Sequence, residues 1–156
     1  MTLSTEPHKL QRFVEGGISV FVATVDADKI PTCCRAIALT TKNDFDTVRV
    51  YVPAATGQET IANVATTRRV AIAATEPLSH AAVQIKGVSR GVKLAAASEE
   101  EFVRTRLHQF ADVLAEIGQP RHVTHRVAHW PAFAIEVTVE EVFDQTPGPK
   151  AGSQLA

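Results

Sequence analysis

The stretch from Ser19 to Leu39, SVFVATVDADKIPTCCRAIAL, constrains the fold most, because it reads as two strands joined by a polar turn with an arginine where a core residue is expected. A second strand over Thr32–Leu39 puts Cys33, Arg35, Ile37 and Leu39 on one face, and Cys34, Ala36 and Ala38 on the other. Neither face is wet. A guanidinium set among apolar neighbours must find an anion or acceptors, because a desolvated unpaired charge is costly and arginine does not shed its proton. The rest of the chain has to supply that anion.

Ser4 caps an expected N-terminal helix within residues 1–17, with Pro7 in its first turn and Gly16 and Gly17 at its stop. Strand one, Ser19 to Val25, is almost continuously apolar, as a strand covered on both sides would be. Asp26, Asp28 and Lys29 form the turn, and Pro31 opens strand two where a missing donor is tolerable. Strand three, Thr47 to Val52, alternates Val48, Val50 and Val52 with Thr47, Arg49 and Tyr51, so one face is expected in the core and the other outside it. A helix begins near Thr56, with Thr56 or Gly57 at its cap and Ile61, Val64 and Ala65 packing inward. Strand four is Val70 to Ala74. Strand five, Ala82 to Leu94, changes apolar phase at Gly87, which predicts a bulge or bend there. A helix over 98–118 opens on a capping-box pattern, Ser98 to Glu101, and carries Val103, Leu107, Phe110, Leu114 and Ile117 on one face. Phe133, Ile135, Val137 and Val139 mark a half-buried last strand, and 144–156 is a tail.

Six strands broken by isolated helices, without regular strand–helix alternation, predict a mainly β fold: an antiparallel barrel with peripheral helices in a single domain over 1–156. A net charge of -1 provides no basic field for neutralising phosphates, so nucleic acid is not an expected partner. No secretory pattern opens the sequence and no window approaches membrane-spanning length, so a cytoplasmic protein with no membrane partner is expected. Cys33 and Cys34 are adjacent and on opposite strand faces, which argues against an intrachain disulfide and for small buried thiols, with a redox-active vicinal pair as the alternative.

Three polar elements are candidates to converge: Arg35, the Thr56, Gln58 and Thr60 cluster at a helix start, and Gln84 on strand five. A helix N-terminus offers free donors and a positive dipole end, hydroxyls add donors, and an arginine adds a bidentate charge, which together make a phosphate pocket. Each also has an ordinary explanation. Thr56 can be a plain cap, Gln84 a solvent-facing strand residue, and Arg35 the partner of a carboxylate at a subunit contact. His122, His125 and His129 sit at helical spacing, but no Cys, Asp or Glu joins them at ligand spacing, so surface histidines are expected and no metal site. Glu99, Glu100 and Glu101 are favourable charge at a helix start. Neither a GxSxG elbow nor a GxGxxG loop is present, which removes the usual serine hydrolase and Rossmann dehydrogenase readings.

The order of motifs resembles the pyridoxamine 5'-phosphate oxidase-like flavoproteins, whose fold is the FMN-binding split barrel. VATVDADKIPTCCRAIAL resembles the family's first pair of strands, RVYVPAATGQETIANVATTRRVAIAA its phosphate-binding turn and helix, and VQIKGVSRGV the later strand whose glutamine reaches the flavin ring. The closing VFDQTPGPKAG resembles the tail of uncharacterised members. The resemblance implies FMN as cofactor, with Arg35 and Thr56 on its phosphate, Ala36 and Ile37 offering backbone to the ring edge, and Tyr51, Gln58 and Gln84 also at the cofactor. Gln58 stands where the family often has a lysine, and Arg68, Arg69 and Arg49 are the cations available to compensate. The arginine and histidine motif that grips pyridoxal phosphate in the true oxidases has no match near Phe133 to Leu155, so vitamin B6 is not the implied substrate. A homodimer is implied, with an oxidoreductase activity on a small-molecule substrate or electron donor. The alternative is a non-enzymatic barrel that binds haem, deazaflavin or another ligand.

Overall fold

The computed structural model describes residues 6–42 and 45–155. Helix α1 (Pro7–Val14) places Pro7 in its first turn and buries Leu10 and Val14. The proposed cap Ser4 lies outside the described residues. Strands follow as β1 (Ser19–Val25), β2 (Pro31–Ala36), β3 (Ala38–Lys42) and β4 (Thr47–Pro53). Helix α2 (Gln58–Thr67) precedes β5 (Arg69–Thr75) and β6 (Ala82–Leu94). A 3-10 turn (Ala97–Glu99), α3 (Glu100–Glu116), the short α4 (Arg121–His125) and β7 (Ala132–Asp144) complete the order.

All neighbouring strands are antiparallel, in the order β2-β1-β5-β6-β7-β4-β3. Seven strands replace the expected six because strand two is divided at Ile37: the part before it pairs with β1 and the part after it with β4. The two pieces stand at opposite edges of one sheet, yet a single residue joins them. The sheet therefore has to curl until its edges meet, and Ile37 N–H donates to Tyr51 O at 2.9 Å, extending the β3–β4 ladder up to that junction. This is the mainly antiparallel barrel expected of the sequence.

Two apolar layers hold it together. Val20, Val22, Val48, Val50, Val52, Ile72, Ile85, Ile135 and Val137 fill the barrel interior, each contributing roughly 1.5–3 kcal/mol by leaving water. Outside the wall, Ile37, Ala38, Tyr51 and Ala134 pack against Val103 and Leu107 of α3. The outer face of β4, expected to lie outside the core, is thus covered at Tyr51. Along α2, Val64 is buried as expected, whereas Ala65 is exposed and Thr60 and Asn63 take buried positions. Ile117, expected on the apolar face of the long helix, follows its last turn and is 58% exposed. The capping pattern also shifts: Glu99, not Glu101, reaches back, accepting from Ala96 N–H at 2.8 Å.

The phase change at Gly87 is a register shift between Lys86 and Gly87, followed by a second between Ser89 and Gly91. A Cβ on Gly87 would lie 2.0 Å from Thr138 O, so only glycine permits the close approach of β7. No described helix is long and apolar enough to cross a membrane.

Candidate functional site

Arg35 lies opposite Phe21 in the β1–β2 hairpin, and the same row continues through Ala73 of β5 and Gln84 of β6 to Phe143 of β7. Facing residues on neighbouring antiparallel strands share a face, so Arg35 and Gln84 are on the outer wall of the barrel, three strand spacings or about 14 Å apart. The helices α3 and α4 fold over the Arg35 end of this row. Between them and the sheet is a cavity of about 490 Å³, floored by Ser19, Phe21, Arg35 and Ile37 and roofed by Phe110 and Leu114.

Arg35 is its charged lining residue. The guanidinium carbon sits 4.7 Å from the centroid of the Phe21 ring and 5.5 Å from that of Phe110. One long hydrogen bond, Nη1 to Ser19 Oγ at 3.4 Å, is its polar contact, and among the described residues it makes no ion pair. Burial holds its pKa below the usual arginine value. A desolvated cation without a carboxylate is the state that an incoming anion relieves. Among the described residues, no carboxylate, imidazole or thiol lines the cavity.

The remaining sequence candidates disperse around this centre. Ala36 and Ile37 line the same cavity, and both are buried, with the Ile37 N–H already given to Tyr51 O. Tyr51 lies beneath α3 and donates its hydroxyl to Glu99 at 2.8 Å, while burial and that carboxylate push its phenol up to about 12. Thr56 and Gln58 are exposed at the start of α2, whose capping position is Gly57. Thr60 is buried and donates to Cys34 Sγ at 3.1 Å, on the strand face opposite to Arg35. Burial raises the Cys34 thiol pKa despite that bond, whereas Cys33 is exposed. The structure therefore brings Arg35, Ala36 and Ile37 together and leaves Thr56, Gln58 and Gln84 apart from them.

The cations offered in place of a lysine at Gln58 are all engaged elsewhere. Arg49 bridges Glu99 at 3.0 Å and Glu136 at 3.1 Å. Arg68 donates through Nε and Nη2 to Ser89 O, and Arg69 pairs with Glu140 at 2.6 Å. Of the three histidines, His122 and His125 belong to α4, while His129 lies beyond it with Nδ1 3.0 Å from Val127 O. The described residues contain no group of three His, Cys, Asp or Glu placed to hold a metal ion.

Sequence reasoning missed Phe21, Ser19 and the Phe110 roof. The turn at Asp26–Lys29 fixes the hairpin register and so sets Phe21 against Arg35, a signal present in the sequence. Phe110 comes from α3, where its spacing reads as ordinary helix core.

Residues 7–146 match the sequence model of the pyridoxamine 5'-phosphate oxidase family, and the chain belongs to that family. None of the curated proteins matches it. Among solved structures, HupZ of Group A Streptococcus superimposes with a TM-score of 0.57 at 16% identity, covering 93% of this chain and 98% of that one. An FMN-binding protein from Syntrophomonas wolfei subsp. wolfei gives 0.56 at 12% identity, covering 88% and 87%. HutZ, the heme storage protein from Vibrio cholerae, gives 0.50 at 14% identity, covering 92% and 95%. The split-barrel fold is thus shared by proteins with different ligands.

Proposed function

We propose that this protein is an FMN-binding oxidoreductase of the pyridoxamine 5'-phosphate oxidase family, acting on a small molecule, with Arg35 as the anchor for the cofactor's anionic end. The observation that carries this reading is the Arg35 guanidinium, half-buried between two aromatic rings in a cavity and without a carboxylate partner among the described residues. FMN, when bound, supplies a ring that accepts or returns a hydride. The chain's own part is positioning: Arg35 and the Ser19 hydroxyl meet the anion, Phe21, Phe110 and Leu114 exclude water, and no side chain in the cavity competes for a proton. Thr56 and Gln58, exposed at the start of α2, stand on the far side of β2 from Arg35, so the anchoring rests on Arg35 and Ser19. The outer faces of β1, β2 and β5 support a homodimer. Phe21, Cys33 and Ala73 are exposed there beside Ala23, Val25 and Ala71, which line a shallow hollow.

The visible spectrum of the purified protein and its titration with FMN test the reading. Flavin bands near one per chain, or saturable uptake of FMN by colourless protein, are the expected result. A Soret band would favour the haem-binding alternative, although no histidine among the described residues lines this cavity. A colourless protein that takes up neither FMN nor haem overturns both.

A further inference from the structure

The wall of the Arg35 cavity opposite the sheet includes the segment from Gln119 to Val127, which contains α4 and contributes Gln119, Thr124 and Val127 to the lining. Its inner side is tied by Gln119 Nε2, which donates to Thr124 Oγ1 at 2.8 Å. Its outer side is fastened to α3 by two contacts between exposed side chains. Arg121 Nε donates to Asp112 Oδ1 at 2.5 Å, and the rings of His108 and His125 lie with centroids 4.5 Å apart, tilted by 43°. His108 and Asp112 are one turn apart on α3, as are Arg121 and His125 on α4, so the two contacts stand side by side along the helix pair.

The charge balance of this fastening depends on the imidazoles. With both neutral, Arg121 and Asp112 offset each other. With both protonated, His108, His125 and Arg121 face one carboxylate, Asp112, and two positive rings are held in contact. Around them, His122 and Arg126 flank His125 on α4, while on α3 Glu116 stands one turn beyond Asp112 and Arg104, one turn before His108, is paired with Glu100 and Glu101, so the added charge acts chiefly as repulsion between the two rings in contact. Imidazole is the side chain whose charge state ordinarily responds to mild acid.

We propose that the His108–His125 contact is a pH-sensitive latch on the cavity wall, closed when the rings are neutral and released when both are charged, so that ligand enters and leaves the Arg35 cavity faster in mild acid. This rests on the reading of that cavity as the ligand site. Amide hydrogen exchange over residues 121–127, referenced to core amides of α3 and corrected for intrinsic rates, tests the latch itself at pH 7.5 and 5.5. Relative protection in the native chain should fall roughly fivefold at the lower pH, the effect of two unit charges at this separation in near-aqueous surroundings. In His108→Gln/His125→Gln it should stay constant, and His125→Gln alone should behave in the same way. Protection that is independent of pH in the native chain, or a loss that survives in the double variant, overturns the proposal. Stopped-flow release of FMN provides the second readout, expected to speed up in acid only when both histidines are present. Equal release rates despite a loosened segment also overturn it. If FMN fails to bind at either pH while histidine-dependent loosening persists, the flavin reading fails and the latch stands.

Discussion

Replacing Arg35 by methionine separates a charge kept for a ligand from a charge kept for the fold. Methionine preserves length and apolar bulk and removes the cation. The loss comprises two ring contacts at 4.7 and 5.5 Å, each worth about 0.5–1 kcal/mol, and a long bond to Ser19, worth at most about 1 kcal/mol. The gain is relief from desolvating a cation that has no carboxylate partner, about 1–3 kcal/mol, with some apolar burial added. The two sides cancel to within about 1 kcal/mol. For a chain of 156 residues, with an unfolding entropy of about 0.33 kcal/mol/K, the melting temperature should stay within about 3 °C of the native value. FMN affinity, by contrast, should fall roughly 10- to 150-fold, since a charge-assisted contact is worth about 1.5–3 kcal/mol. Calorimetry or a circular-dichroism melt, paired with fluorescence titration of FMN, reads both quantities. A melting temperature lowered by more than about 6 °C with FMN affinity unchanged would make Arg35 a structural residue and not a ligand anchor.

Gly87→Ala would drive a methyl to 2.0 Å from Thr138 O and 2.9 Å from Val137 Cγ1, so β7 must retreat; the cost of about 1–3 kcal/mol should lower the melting temperature by about 3–9 °C. Glu99 and Glu136 also make stability depend on pH. Burial would raise the Glu99 pKa, but the Ala96 N–H, the Tyr51 hydroxyl and Arg49 hold it lower, and Arg49 does the same for Glu136. Carboxylates depressed in the fold stabilise it above their unfolded value of about 4.5, and that contribution disappears as falling pH protonates the folded form. Urea midpoints should therefore drop between pH 6 and pH 3.5 in the native chain and drop less in Glu99→Gln/Glu136→Gln; equal drops would count against the argument. If the outer faces of β1, β2 and β5 form the proposed dimer contact, light scattering should read a dimer for the native chain and a folded monomer for Ala23→Glu, on the outer face of β1.

Elements governed by local periodicity were legible in the sequence. The bounds of β1 follow from its apolar run, and the irregularity at Gly87 follows from a phase change that no straight strand accommodates. The division of strand two was not legible, because Ile37 continues the apolar pattern and only its exchange of partners, from β1 to β4, marks the break. The phosphate pocket illustrates the same limit. Arg35 and Cys34 alternate along the strand, so once α2 is known to meet Cys34 through Thr60, Arg35 has to face away. Nothing in the sequence states on which side of the barrel α2 packs. The roof of the cavity was hidden for the complementary reason: Phe110 and Leu114 obey the helix period, and what distinguishes them is the space left between their helix and the sheet.

The junction at Ile37 has a consequence for the sheet's two borders. A sheet's outermost strands present unpaired backbone groups, and proteins must keep such borders from recruiting one another. Here the two borders are consecutive in sequence, so peptide bonds tether them to each other and confine their partners to the same molecule. A circular permutant opened at Ile37, with its original ends joined, would retain all six strand pairings. It would lose the tether, and its borders would be free to add strands from neighbouring molecules. The same residues would then encode a protein that assembles sideways instead of closing on itself.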